Sequence, residues 1–136
     1  MTTPDPVRIG LIGAGRIGTY HATTLARRLP EAELVAVADP FEASAQRLGE
    51  ALGVEWLTDG QALIDDPRIE AVAITCASTA HADLVVAAAR AGKAVFVEKP
   101  MAMTLADADR AGLRHRPRRR HGWRRRHAAA DAIADP

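Results

Sequence analysis

Residues 7–12, Val-Arg-Ile-Gly-Leu-Ile, are an apolar run of strand length that passes directly into Gly13-Ala14-Gly15-Arg16-Ile17-Gly18. A strand feeding a G-x-G-x-x-G turn into a helix has few ways to fold: it must reverse tightly, expose backbone N–H groups and pack helix against strand. The glycines have separable tasks. Gly13 makes the turn, Gly15 lets the backbone approach a ligand, and Gly18 lets the helix lie close to the strand. Amides at a helix N-terminus suit a pyrophosphate, and Arg16 adds positive charge beside them. Gly13, Gly15, Arg16, Ile17 and Gly18 are therefore the candidate cofactor-binding turn. An ordinary glycine turn would also satisfy the motif, so its surroundings decide.

Those surroundings predict a wound α/β fold. Further apolar runs fall at 34–38, 71–75 and Ala94–Val97, with a weaker one at 54–57. Unbroken apolar runs suit parallel strands covered on both faces. Between them Gly18, Ala22, Leu25 and Leu29 recur at i, i+4, i+7 and i+11, and Phe41, Ala45, Leu48 and Leu52 repeat the spacing. Each segment can lay one apolar stripe on a sheet. Pro30 closes the first helix, Asp39-Pro40 opens the second, Gly53 ends it, and Gly92 follows a helix over 79–91. Right-handed crossovers then give a Rossmann-type doubly wound parallel sheet, of five strands rather than the six of the usual order 3-2-1-4-5-6. The fifth strand would lack its outer neighbour, and an apolar edge invites aggregation.

A chain of 136 residues holds one such domain, not two. Hydrophobic residues at 48% with aromatics at only 4% indicate a globular core closed by Ala and Val rather than by rings. Residues 1–111 carry 10 Lys and Arg against 15 Asp and Glu, whereas residues 112–136 carry 8 Arg against 2 Asp, so an acidic domain precedes a basic tail. The single cysteine, Cys76, excludes an intramolecular disulfide and a cysteine metal site; no metal is expected. The first residues lack the basic and apolar regions of an export signal, and no stretch reaches the roughly 18 apolar residues of a bilayer span. A reducing cytoplasm is the expected compartment, with no membrane contact.

Asp39 ends the second predicted strand, 21 residues after Gly18. A carboxylate there can accept hydrogen bonds from adenosine ribose hydroxyls and repel a 2′-phosphate, which favours NAD over NADP. It can also be a helix N-cap, with Pro40 at the first helical position and Glu42 closing a capping box; the two roles are compatible. Arg47 lies too far into the second helix to be assigned to a 2′-phosphate. His21 reads as a surface or packing histidine, and Cys76 as an inert buried thiol.

The glycine turn, Asp39, the segment Ile74-Thr75-Cys76-Ala77-Ser78-Thr79-Ala80-His81 and the segment Gly92-Lys93-Ala94-Val95-Phe96-Val97-Glu98-Lys99-Pro100 occur in that order. Together they resemble the N-terminal half of the glucose-fructose oxidoreductase, inositol dehydrogenase and rhizopine-catabolism family; the strand followed by Glu-Lys-Pro is its most particular mark. The resemblance covers residues 7–111 and is nearest to the inositol 2-dehydrogenases and related sugar dehydrogenases. It implies an NAD-dependent oxidation of a polyol or sugar hydroxyl. It also implies that Lys99 is the catalytic residue, beside the nicotinamide and on the substrate hydroxyl, where its charge stabilises a developing alkoxide. Glu98, Ser78 and His81 would contact the cofactor. Without the resemblance, Glu98 and Lys99 would read as a solvated pair at a strand end, and Ser78 as a helix cap. Family loops often carry Pro where this chain has Ala77. The family's general base, a histidine supported by an aspartate, comes from a C-terminal α+β substrate domain for which this chain offers no counterpart.

From Gly112 to His127 the chain holds 8 Arg and 3 His in 16 residues. A frame shift or truncation near codon 111 accounts for this, since a shifted frame in a GC-rich gene tends to yield Arg, Ala, Pro and Gly; the tail is then expected to be disordered. The competing reading is a free-standing dinucleotide-binding or redox-sensing module whose basic tail, with Trp123 for stacking, contacts nucleic acid. The dehydrogenase reading explains residues 7–111 and makes nucleic acid the less expected partner. It predicts weak NAD binding and little or no turnover by this chain alone.

Overall fold

The computed structural model describes residues 4–99 and 104–114. Pro100 and the tail from 115 to 136, including Trp123, lie outside the described residues. In chain order the elements are β1 (Val7–Ile12), α1 (Arg16–Arg27), β2 (Ala32–Ala38), α2 (Glu42–Leu52), β3 (Glu55–Leu57), α3 (Gly60–Asp65), β4 (Ala71–Ile74), a 3₁₀ turn (Ser78–Ala80), α4 (His81–Arg90), β5 (Ala94–Val97) and α5 (Leu105–Arg114).

The strands form one parallel sheet in the order β3-β2-β1-β4-β5. This is the five-stranded doubly wound arrangement expected from the apolar runs. Neighbouring residues on the strands serve opposite faces, except in β2, where the register with β1 shifts at Val35 and the alternation is reset. Leu11, Leu34, Val37 and Ala73 pack with Ala22 of α1 and Leu48 of α2, while Ile12, Ala36, Ala38, Val72 and Ile74 pack with Leu63 and Ile64 of α3 and Val85 and Ala88 of α4. Burial of both faces is why the strands read as continuous apolar runs.

The register matters for function. Ile12 pairs with both Ala38 and Ile74, Ile74 pairs with Val97, and Ala38 pairs with Leu57, so the strands end in one row. The next residues keep the ladder for one more step: Gly13 N–H donates to Ala38 O at 2.8 Å, Asp39 N–H to Leu57 O at 3.1 Å, Thr75 N–H to Ile12 O at 2.8 Å and Glu98 N–H to Ile74 O at 2.9 Å. Gly13, Asp39, Thr75 and Glu98 thus stand side by side on the carboxyl edge of the sheet, where open α/β sheets bind ligands.

Several local expectations need correcting. The first helix ends at Arg27, before Pro30, and leaves Leu29 outside it. Asp39 does not cap the second helix; α2 starts at Glu42 with Phe41 as its N-cap. Phe41 accordingly falls outside the stripe that buries Ala45 and Leu48 and is 76% exposed. Helix α3 was not anticipated. Its six residues are too few to show a period, but Asp59 announces it by accepting the Gln61 N–H at 2.9 Å. The helix expected over 79–91 starts as the 3₁₀ turn, so Ser78 lies within that turn rather than capping α4. Helix α5 is capped by Thr104, whose hydroxyl oxygen accepts from Asp107 N–H at 3.1 Å, and it runs across residue 111 to Arg114. It rests on α4, where Arg110 reaches Asp83 at 2.8 Å.

Candidate functional site

An open cleft of about 830 Å³ lies along the carboxyl edge, walled by the glycine turn, the Asp39-Pro40-Phe41 corner, the start of α3 and the loop from Thr75 to Ala80. The three glycines differ in what requires them. Gly13 has φ +106°, and a Cβ there would run into the backbone of Cys76. A Cβ on Gly18 would strike the Gly13 carbonyl. These two are demanded by the fold itself. Gly15 is not: its φ is −75°, which any residue can adopt, and a Cβ on it would meet nothing within 4 Å. Gly15 is also the N-cap of α1, with no side chain capping the amides that follow. The vacant space and open amides suit something brought in from outside, and a phosphate group fits both.

The turn is braced from both sides. Thr75, buried, points its hydroxyl at Ile12 O at 3.1 Å and Gly13 O at 3.0 Å. Asp39 Oδ2 accepts from Ala14 N–H at 2.8 Å, and its Oδ1 accepts from Phe41 N–H at 2.8 Å. The Arg47 guanidinium donates to Ala14 O at 3.0 Å, so the Ala14 residue is held at both its N–H and its C=O. A carboxylate has about four lone-pair positions, so Asp39 can still accept two sugar hydroxyls. Arg47, set aside by sequence reasoning, steadies the turn from outside.

Across the turn from Asp39, the end of β5 carries Glu98 and Lys99. Glu98 Oε2 lies 2.8 Å from Nε2 of His21 in α1, and its Oε1 accepts from the Lys99 backbone N–H at 3.1 Å. The His21 hydrogen bond, followed by the Lys99 amide, holds the Glu98 carboxyl below the usual range. His21 also packs edge-on against Phe96, with ring centroids 5.4 Å apart. It is therefore more than the surface or packing histidine its position suggested. Lys99 itself is exposed.

The remaining candidates line or shape the loop after β4. His81 is 1% exposed, and its Nε2 lies 2.8 Å from the Cys76 carbonyl, which fixes the bend of the loop from beneath. Ser78 is half-buried in the 3₁₀ turn. Burial, reinforced by the Asp39 charge, pushes the half-buried Cys76 thiol up, which disfavours its reactive thiolate form. Arg16 and Ile17 are exposed in the first turn of α1. Among the described residues no group of three or more His, Cys, Asp or Glu gathers to hold a metal ion, and no helix is long and apolar enough to cross a membrane.

The family model for the Gfo/Idh/MocA oxidoreductases, described as an oxidoreductase family with an NAD-binding Rossmann fold, matches residues 7–116. The chain is 40% identical over 106 residues to scyllo-inositol 2-dehydrogenase (NAD(+)) of Bacillus subtilis, covering 77% of this chain and 31% of that protein. It is 45% identical over 105 residues to myo-inositol 2-dehydrogenase of Thermotoga maritima, covering 76% and 31%. Among solved structures, scyllo-inositol dehydrogenase from Lactobacillus casei with bound NAD(H) and scyllo-inositol superposes with a TM-score of 0.77 at 31% identity, over 81% of this chain and 33% of that one. The chain thus spans about a third of the length of the curated relatives it matches.

Proposed function

The chain belongs to the Gfo/Idh/MocA oxidoreductase family by its NAD-binding Rossmann domain, and from that premise we propose that it is the cofactor-holding part of a dehydrogenase acting on a hydroxyl of inositol or a related polyol or sugar. The observation that carries the reading is Gly15, a glycine that neither backbone nor packing requires, at the uncapped start of α1. Its amides and those of Arg16 and Ile17 take the pyrophosphate. Asp39 would hold the adenosine ribose on the β2 side, and the exposed Phe41 at the same corner offers its ring to the purine. The nicotinamide half would be held on the opposite side of β1, where Glu98 and Lys99 follow β5. Ser78 lies in the loop after β4, and His81 acts by holding that loop in shape.

Bound NAD supplies the hydride acceptor. The Lys99 ammonium lies against the substrate oxygen and stabilises negative charge developing on it, which is electrostatic assistance of the kind that counts most where water is excluded. By the family resemblance, the group that removes the hydroxyl proton lies outside the part of the family matched here. The chain alone is therefore expected to bind NAD and NADH without sustained polyol oxidation. Calorimetric titration of the folded protein with NADH tests the binding, and an assay with myo- and scyllo-inositol tests the turnover. Absence of binding heat at millimolar NADH would overturn the cofactor assignment. Robust inositol oxidation by the pure chain would overturn the assignment of the base elsewhere.

A further inference from the structure

The contact between α1 and the end of β5 has no role in pyrophosphate or ribose binding, yet it joins two residues 77 positions apart at 2.8 Å. Building on the proposed nicotinamide position, we infer that His21 is a positioning residue: it clamps Glu98, and through Glu98 it fixes the backbone at Lys99 relative to the glycine turn.

The argument is geometric. A carboxylate can only accept, so Nε2 of His21 carries the shared proton and donates to Oε2. The other oxygen, Oε1, is taken by the Lys99 N–H at 3.1 Å. Glu98 thus bridges a helix and the residue that follows it, with one hydrogen bond on each oxygen. Its backbone is fixed as well, because its N–H continues the β4–β5 ladder on Ile74 O at 2.9 Å. His21 is held in turn by Phe96, whose ring meets it edge-on at 5.4 Å. With 27% of each side chain exposed, the pair is shielded enough for the bond to persist and close enough to the surface for Glu98 to stay ionised.

The helix supplying His21 is the one whose first amides face the cleft. Residues gripping the phosphates and residues flanking the nicotinamide are therefore linked by a side-chain bond that does not pass through the sheet. An isolated packing histidine would need only the Phe96 contact. The bond to Glu98 has a different consequence: it sets where the β5 end lies once α1 has engaged the cofactor.

Packing and positioning separate in three variants. His21→Phe keeps the ring against Phe96 and removes the bond; His21→Gln keeps a donor for Glu98; Glu98→Gln keeps the size of the acceptor and removes its charge. NADH and ADP-ribose affinities are measured by calorimetry on the whole chain, and the emission of bound NADH reports the surroundings of its nicotinamide. His21→Phe and Glu98→Gln should weaken NADH about tenfold and shift its emission, leave ADP-ribose within about twofold, and His21→Gln should restore most of the NADH affinity; tenfold corresponds to about 1.4 kcal/mol. Equal losses for NADH and ADP-ribose would mean general damage and overturn the inference, as would unchanged NADH binding in His21→Phe. Should His21→Phe fail to fold, Glu98→Gln decides alone by the same two ratios. A wild-type chain that binds neither ligand sinks the proposed function, and this inference with it. A wild-type chain that binds both, with variants that do not discriminate, sinks the inference only.

Discussion

Replacing Gly15 with serine should make the protein more stable and a poorer binder at once. Gly15 sits at φ −75° and ψ −164° as the N-cap of α1, exposed, with open space where a Cβ would stand. Removing glycine's freedom in the unfolded chain at a compatible position stabilises by about 0.4–1 kcal/mol, and serine improves on glycine as an N-cap by a few tenths more. The sum, about 1 kcal/mol, raises Tm by roughly 3–6 °C for a domain of this size. The same hydroxyl would accept a hydrogen bond from the amides a phosphate needs. Loss of one charge-assisted hydrogen bond, about 1.5–3 kcal/mol, weakens NADH roughly 10- to 150-fold. Gly18→Ala is the contrast, because its Cβ strikes the Gly13 carbonyl and should reduce stability and binding together. Thermal unfolding followed by circular dichroism gives the first quantity and calorimetry with NADH the second. Gly15→Ser binding NADH within twofold of wild type, or melting lower than wild type, would refute the claim that Gly15 is kept for a ligand rather than for the fold.

Asp39→Ala should lower NADH affinity by about tenfold or more, because the proposed ribose acceptors and the brace on the Ala14 amide are lost together; the preference over NADPH expected from a carboxylate at this position should narrow in parallel titrations. Phe41→Ala should weaken NADH and ADP-ribose alike by roughly 2- to 12-fold, the worth of one aromatic stacking contact. A loss confined to NADH would place the purine elsewhere. On the acid side, the hydrogen bond from the Arg68 guanidinium holds Asp66 down at about 2. A depressed carboxyl contributes fully above its unfolded value of about 3.9 and loses that contribution as pH falls towards the folded value. Asp66→Asn should therefore flatten the fall of the urea midpoint between about pH 4 and about pH 2; an unchanged slope would show that the pair contributes nothing to stability.

Much of the fold was legible because its signals are short. The bounds of β1 and β5 coincide with their apolar runs, and the left-handed glycines Gly53 and Gly92 stand where α2 and α4 stop. Phe41 was misread because its spacing continues the stripe of Ala45 and Leu48, but a period means nothing one residue before the helix begins. The capping reading of Asp39 failed for a related reason. Its carboxylate bonds one N–H in its own chain segment and another in the glycine turn 25 residues earlier, and no local pattern reports the second partner.

The candidate site divides along the same line. The proposed phosphate grip lies within six consecutive residues, so sequence alone can nominate it. The two ends of the carboxyl edge depend on strand order, which the connection rules supply: two right-handed crossovers one way and two the other place Asp39 and Glu98 on opposite sides of β1. That much could be argued before any side chain was placed. The bond between His21 and Glu98 could not, because it needs the rotation of α1 about its axis as well as the order of the strands. The packing of Gly18 on Gly13 and of Ala22 in the core sets that rotation. With Gly18 and Ala22 turned inward, His21 is brought to the β5 side. A larger residue at position 18 would thus act at the β5 end of the carboxyl edge too, by turning the helix that holds Glu98.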